Sequence, residues 1–132
     1  MGVAVRYLLD THALLWWWTD DPLLSAHARD LIADERHDIY VSAASAWEIA
    51  TKHRLGKLPE AGEVMSRFNE LALADGFRHL PVSYLHALRA GAYCQPHRDP
   101  FDRMLAAQSA IEALPLITCD DALASLGARV VW

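Results

Sequence analysis

The unit that decides the fold lies near the start of the chain, in residues 3–15, VAVRYLLDTHALL. Its first part, Val3 to Leu9, is a short apolar run rich in Val, Leu and Tyr, as expected of a buried strand. Asp10 ends this run, and the pattern that follows through Trp18 favours a helix. We therefore expect a strand that passes directly into a helix, with an aspartate at the junction.

The same alternation of strand and helix continues along the chain. Further strands are predicted at 39–42, 114–118 and 128–132, and residues 77–82 fit a short edge strand, where Pro81 limits ladder bonding. Helices are predicted at 25–35, 43–54, 59–74, 83–92, 99–112 and 121–126. Strands that alternate with helices favour an α/β domain. We expect a central parallel sheet of about five strands with helices on both faces.

Length and composition favour one compact domain over residues 1–132. The chain is 53% hydrophobic and 22% charged, which is enough apolar material for a core. A net charge of −5 counts against a sequence-specific DNA-binding protein, which is usually basic. The two cysteines give no disulfide framework. Because neither a targeting signal nor an apolar run of about 18 residues is found, we expect a cytoplasmic protein without membrane contact.

Four acidic residues fall where this architecture would gather them. Asp10 and Asp120 follow two predicted strands, and ligands of parallel α/β sheets bind beyond the carboxyl ends of the strands. Glu48 lies in the helix after the second strand, and Asp102 lies in the first turn of the helix that begins at Asp99. Crowded carboxylates repel one another and require a cation, and Mg²⁺ and Mn²⁺ prefer oxygen ligands.

Each of these residues also has a simpler explanation. Asp10 and Asp120 can cap the helices that follow them, and Asp99 fits an N-cap before Pro100. Asp102 can interact with the helix dipole, and Glu48 can be a solvated helix residue. The acidic pattern by itself therefore leaves a purely structural interpretation open.

Four local sequences, taken together, favour a metal site over a purely structural interpretation. They are LLDTHALLW (8–16), VSAASAWEIATKHRLGKL (41–58), HRDPFDRMLAAQSA (97–110) and LITCDDAL (116–123). Each resembles a block of the PIN-domain family, specifically of the VapC-like toxins of bacterial toxin–antitoxin pairs. The resemblance covers nearly the whole chain, with the blocks in the family's order and spacing.

The resemblance implies a metal-dependent endoribonuclease. The family's acidic pattern falls on Asp10, Glu48, Asp102 and Asp120, which would bind Mg²⁺ or Mn²⁺. Thr118 matches a small polar position where family members help to hold water at the metal, and Asp99 is expected to support the site. The implied reaction is hydrolysis of an RNA phosphodiester, in tRNA or rRNA, leaving a 5′ phosphate and a 3′ hydroxyl. The implied partners are a VapB-like antitoxin and a second copy of the chain.

Basic residues near the acidic positions offer a route for RNA. The predicted phosphate contacts, for which surface solubility is the alternative, are Lys52, Arg54, Arg98 and Arg103. The consecutive residues Trp16, Trp17 and Trp18 cannot all lie on one narrow helix face. We expect core packing for one or two of them, and contact with a groove or a partner for the remainder.

Two other functions are possible for an acidic α/β domain. A phosphatase with an aspartate nucleophile commonly has a second aspartate two residues after the first, and this chain has His12 there. A catalytically silent PIN-fold module that only binds an antitoxin-like peptide is the alternative from a different class. Retention of all four acidic residues counts against it.

Overall fold

The computed structural model describes residues 5–132, and the first part of the predicted N-terminal strand lies outside them. The strands are β1 (Arg6–Leu9), β2 (Asp38–Ser42), β3 (Arg78–Leu80), β4 (Leu116–Ile117) and β5 (Val130–Val131). All four strand pairings are parallel. The predicted five-stranded parallel sheet is thus confirmed, although β4 and β5 are shorter than predicted.

Seven α-helices connect the strands within the described part of the chain. They are α1 (Thr11–Trp18), α2 (Ala26–Ala33), α3 (Ala43–Arg54), α4 (Gly62–Ser66), α5 (Phe68–Ala74), α6 (Tyr84–Ala92) and α7 (Pro100–Glu112). Short 3₁₀ helices occur at Pro59–Ala61 and Asp121–Leu126. The Ser42 hydroxyl accepts a hydrogen bond from the Ala44 amide and so begins α3, and the Asp99 carboxylate does the same for α7.

The prediction of a single helix at 59–74 is wrong in one respect. The segment is divided into a 3₁₀ turn, α4 and α5, with a break at Arg67, where φ is −117° and ψ is 15°. Just before the break, the Ser66 hydroxyl donates to the Glu63 carbonyl oxygen at 3.0 Å. A side chain that shares a helical carbonyl in this way competes with the backbone ladder, which helps to explain the break.

Helices cover both faces of the sheet, as predicted. Leu9, Val41 and Ile117 belong to one buried cluster, which packs against α1 to α5. Their chain neighbours Leu8 and Leu116 point to the other face and belong to a second cluster, with residues of α7. Because side chains alternate along a strand, buried residues on both faces require the continuous apolar runs seen in the sequence.

The strand order, β3-β2-β1-β4-β5, indicates where a ligand can bind at the sheet. The chain builds outward from β1 in one direction and from β4 in the other, so the connections diverge between these two strands. Such a switch point leaves a crevice at the carboxyl ends of the strands. Within residues 5–132, the helices are too short or too polar to cross a bilayer.

Candidate active site

The crevice between β1 and β4 is an acidic cavity of about 280 Å³. Its lining residues are Asp10, His12, Trp16, Glu48, Lys52, Asp99, Asp102, Cys119 and Asp120. All four acidic residues predicted from the sequence therefore line one cavity, although they come from four separate segments. Asp10 follows β1, Asp120 follows β4, Glu48 belongs to α3 and Asp102 to α7.

A larger cavity of about 550 Å³ lies elsewhere, next to the segments that enter β2 and β3. Asp34, His37 and Asp75 are among its lining residues. We assign the functional site to the smaller cavity because it lies at the carboxyl ends of the strands. In addition, two carboxylates of the larger cavity already have partners: Asp34 binds Arg36, and Asp75 accepts hydrogen bonds from two tryptophans.

Thr118 connects the Asp10 carboxylate to the backbone of Asp120. Its hydroxyl donates to Asp10 Oδ2 at 2.6 Å and accepts from the Asp120 amide at 3.0 Å. Asp10 is 5% exposed, and burial raises the pKa of its carboxyl group, although the Thr118 hydrogen bond acts in the opposite direction. Asp120 is less buried and also caps the following 3₁₀ helix through the Ala122 amide. Asp120 therefore caps the 3₁₀ helix and lines the cavity at the same time.

Glu48 is the most buried carboxylate of the cavity, with 1% of its surface exposed. One of its oxygens, Oε2, accepts a hydrogen bond from the Lys52 ammonium. The other, Oε1, is buried and has no hydrogen-bond partner among the described residues. A buried carboxylate oxygen without a donor is costly, so Glu48 lacks a group that would complete its environment.

The arrangement fits a divalent cation. Oxygen atoms of Glu48, Asp99 and Asp102 all lie within 4.8 Å of one another. Asp10 and Asp120 line the same cavity, but in the part of the chain described they are not members of this tight group. Among the described lining residues, five carboxylic acids face one lysine, which leaves an excess of negative charge. Oxygen-rich acidic clusters of this kind suit Mg²⁺ or Mn²⁺.

Asp99 has two roles in this geometry. Its Oδ1 accepts from the Phe101 and Asp102 amides, at 2.9 and 3.3 Å, and so caps α7. Its Oδ2 faces Lys52 Nζ at 3.4 Å. The capping role considered for Asp99 from the sequence is therefore confirmed, and the same side chain also belongs to the acidic group.

Asp102 contacts the loop that precedes α7. His97 Nε2 lies 2.9 Å from Asp102 Oδ2, and this contact holds the carboxylate toward the loop. Burial, opposed in part by the His97 hydrogen bond, raises the pKa of Asp102 to about 6. The neighbouring carboxylates Asp99, Asp10 and Glu48 add to the shift. A carboxylic acid with this pKa releases its proton readily when a cation arrives.

Arg103 holds the same loop in place. Its guanidinium donates to five carbonyl oxygens, those of Ala90, Gly91, Tyr93, Gln95 and His97. A guanidinium has five N–H donors, so this set engages all of them. Arg103 therefore has little left to offer a phosphate, and we assign it to holding the loop that carries His97 rather than to the predicted RNA contact.

The other basic residues divide into two kinds. Arg54 and Arg98 are exposed, and their contact with RNA stays a prediction. Lys52, in contrast, is directed at the carboxylates of the cavity. Its position four residues after Glu48 on one helix was a signal for this pairing, since such residues are neighbours on a helix surface.

One tryptophan lines the cavity. It is Trp16, which packs against Trp132 at 5.9 Å between ring centroids, and which also packs against the core, as Trp17 and Trp18 do. Trp47, which sequence reasoning did not select, is 61% exposed and packs edge-on against Phe101 at 4.7 Å. Trp47 directly precedes Glu48 in α3, and Phe101 directly precedes Asp102 in α7, although neither aromatic residue is among the cavity-lining residues described.

Comparison with known proteins agrees with this geometry. Residues 7–128 match the family model of the PIN domain. The chain belongs to the PIN domain family. Ribonuclease VapC16 of Mycobacterium tuberculosis (strain ATCC 25618 / H37Rv) is 38% identical over 79 residues, or 57% of this chain and 56% of that protein. The chain thus matches a little over half of the length of this curated relative.

Solved structures share the PIN fold over 96% of this chain. VapBC2 from Rickettsia felis, bound to a DNA fragment from its promoter, matches with a TM-score of 0.69 at 14% identity over 98% of that chain. A toxin–antitoxin complex from Klebsiella pneumoniae matches with 0.64 at 19% identity over 96%. FitAcB from Neisseria gonorrhoeae matches with 0.66 at 20% identity over 96%.

Proposed function

We propose that this PIN domain, taken as residues 1–132, is a metal-dependent endoribonuclease toxin of a toxin–antitoxin pair. The observation that carries the proposal is the convergence of Asp10, Glu48, Asp99, Asp102 and Asp120 on one cavity. The buried Glu48 oxygen without a hydrogen-bond donor among the described residues supports a cation as the missing group. Similarity to Ribonuclease VapC16 supports RNA as the substrate.

In this proposal, oxygens of Asp10, Glu48, Asp102 and Asp120 would hold Mg²⁺ or Mn²⁺. When bound, such an ion activates water and offsets the charge that develops on a phosphodiester. Thr118 orients Asp10 and Asp120 through its two hydrogen bonds. Asp99 keeps α7 in register with the site by capping it.

The reaction is addition of water across the P–O3′ bond of RNA. The water oxygen bonds to phosphorus, the P–O3′ bond breaks, and a proton reaches the leaving 3′ oxygen. The products are a 5′ phosphate and a 3′ hydroxyl. No covalent intermediate with the protein is required, which is consistent with a cavity lined by carboxylates.

Substrate binding in the proposal uses charge and stacking outside the carboxylates. Exposed Arg54 and Arg98 would contact phosphates, and the exposed ring of Trp47 would stack on an unpaired base. Unpaired bases are accessible in the loops of tRNA and rRNA, which we propose as the substrates. Charge reversal at Arg54 and Arg98 should lower RNA affinity and its salt dependence, and no change in either would refute their role.

The decisive experiment is sequencing of RNA 5′ ends after brief expression of the wild-type protein, Asp102→Asn and Asp30→Asn. Asp30 is an exposed aspartate outside the cavity, so its variant is a matched control. We expect sharp new ends in tRNA or rRNA with the wild type and with Asp30→Asn, but not with Asp102→Asn. Identical patterns in all three proteins would contradict the proposal and would favour a silent binding module.

The proposed partners are a VapB-like antitoxin and a second copy of this chain. The exposed side chains of Tyr84, Leu85 and Leu88 form an apolar face on α6, which supports a protein contact. The structural neighbours include a toxin–antitoxin complex, which supports the antitoxin. Light scattering of the purified chain tests the homodimer, since a strictly monomeric mass at micromolar concentration would contradict it.

A further inference from the structure

The side chain of Lys52 is mostly buried, which is unusual for a lysine. Lys52 lies on α3 and lines the acidic cavity, with 22% of its side chain exposed. Its ammonium pairs with Glu48 Oε2 and lies 3.4 Å from Asp99 Oδ2. It also lies 5.9 Å from the centre of the Phe101 ring. Lys52 therefore spans α3 and the start of α7 through their carboxylates.

The ammonium is held in its charged form at this position. Burial by itself disfavours the charge, but the hydrogen bonds and charges of Glu48 and Asp99 outweigh burial and raise the pKa of Lys52. A buried carboxylate such as Glu48 needs a nearby positive charge, because an unpaired charge in the interior is strongly destabilising. Lys52 supplies that charge from within the chain.

One partner of Lys52, Glu48, is a proposed ligand of the cation, and the other, Asp99, lies beside it. Glu48 and Asp99 are two of the three residues whose oxygens lie within 4.8 Å of one another. A divalent ion in this group and the ammonium of Lys52 would compensate the same negative charges. At such short range two cations repel, so the ion and the ammonium compete. A lysine stem is flexible enough to move its charge away.

We propose that Lys52 is an internal stand-in cation, which joins Glu48 and Asp99 while the site holds no metal and is displaced when a divalent ion binds. The inference rests on the proposed metal-dependent function and adds a regulatory element to it. Lys52 thus stabilises the metal-free fold and weakens metal binding at the same time. Its removal should change these two properties in opposite directions.

The test uses Lys52→Met, which keeps much of the side-chain volume and removes the charge. The metal-free variant should melt at least about 5 °C below the wild type, because Glu48 loses its partner. Its Mn²⁺ dissociation constant, measured by calorimetric titration without RNA, should be about tenfold lower than that of the wild type, because no ammonium has to be displaced. Lys57→Met is the matched control: Lys57 is exposed and does not line the cavity.

A second variant covers the case in which Lys52→Met does not fold without metal. Lys52→Gln removes the charge but retains a donor for Glu48, so it should fold and still bind Mn²⁺ more tightly than the wild type. Equal or weaker Mn²⁺ binding by the Lys52 variants would overturn the inference, as would an equal gain in Lys57→Met. If the wild type itself bound no Mn²⁺ or Mg²⁺, the proposed metal-dependent function would also be wrong. Metal binding by the wild type therefore distinguishes failure of the inference about Lys52 from failure of the proposed function.

Discussion

Replacing Asp102 by Asn should stabilise the metal-free protein at neutral pH while it abolishes RNA cleavage. The folded protein raises the pKa of Asp102 from its ordinary value of 3.8 to about 6, mainly by burial. The folded state therefore binds this proton more tightly than the unfolded state does. By linkage, the contribution of Asp102 to stability is fully present below pH 4 and is lost as the pH rises to about 6.

The magnitude follows from the two pKa values. Each pKa unit corresponds to about 1.4 kcal/mol, so the full difference amounts to about 3 kcal/mol. The Asp102 side chain is 18% exposed, and solvent screening reduces this value, so we expect a gain of about 1–2 kcal/mol in Asp102→Asn. For a domain of this size, that gain corresponds to roughly 3–8 °C in melting temperature. The asparagine oxygen can still accept the hydrogen bond from His97.

The assay is urea unfolding of both proteins in EDTA, at pH 7.5 and at pH 4. The variant should be more stable than the wild type at pH 7.5, and the two should be nearly equal at pH 4. Saturating Mn²⁺ should then stabilise the wild type more than the variant, because binding to the folded state adds to stability. The reasoning is refuted if Asp102→Asn is no more stable than the wild type at pH 7.5 without metal, provided that Asp30→Asn is unchanged.

Three further predictions follow from the same contacts. The Mn²⁺ affinity of the wild type should rise between pH 5 and pH 7, because Asp102, with a pKa of about 6, must lose its proton to bind the ion. A Mn²⁺ affinity that does not change over this pH range contradicts the prediction. Thr118→Val should lower metal affinity or activity by roughly 10–100-fold, because Asp10 and Asp120 lose their shared hydroxyl, whereas Thr118→Ser should restore most of it. Trp47→Ala should weaken RNA binding to a cleavage-deficient protein by about 1–3 kcal/mol, with partial recovery in Trp47→Phe; unchanged affinity excludes stacking.

Much of the local structure could be predicted from the sequence. The bounds of α3 and α7 agree with prediction, because capping residues and apolar periodicity mark helix ends within a few residues of the chain. The short strands β4 and β5 were predicted too long, since a strand extends only as far as its neighbour provides ladder partners. The Ser66 hydroxyl, which helps to explain the break at Arg67, makes a local contact that apolar periodicity does not register.

For the site, the sequence identified the acidic residues and the family, because the motifs around Asp10, Glu48, Asp102 and Asp120 are contiguous. What only the tertiary structure decided is which groups of other segments each charged side chain contacts. Lys52 and Arg103 are both predicted to face RNA, yet Lys52 faces Asp99 in addition to its helix neighbour Glu48, and Arg103 holds a loop by its carbonyl oxygens. The physical reason is that helical periodicity and capping act over a few residues. The partner of a long charged side chain, in contrast, depends on which elements dock beside it, and here α7 and its preceding loop meet α3 from about fifty residues further along the chain.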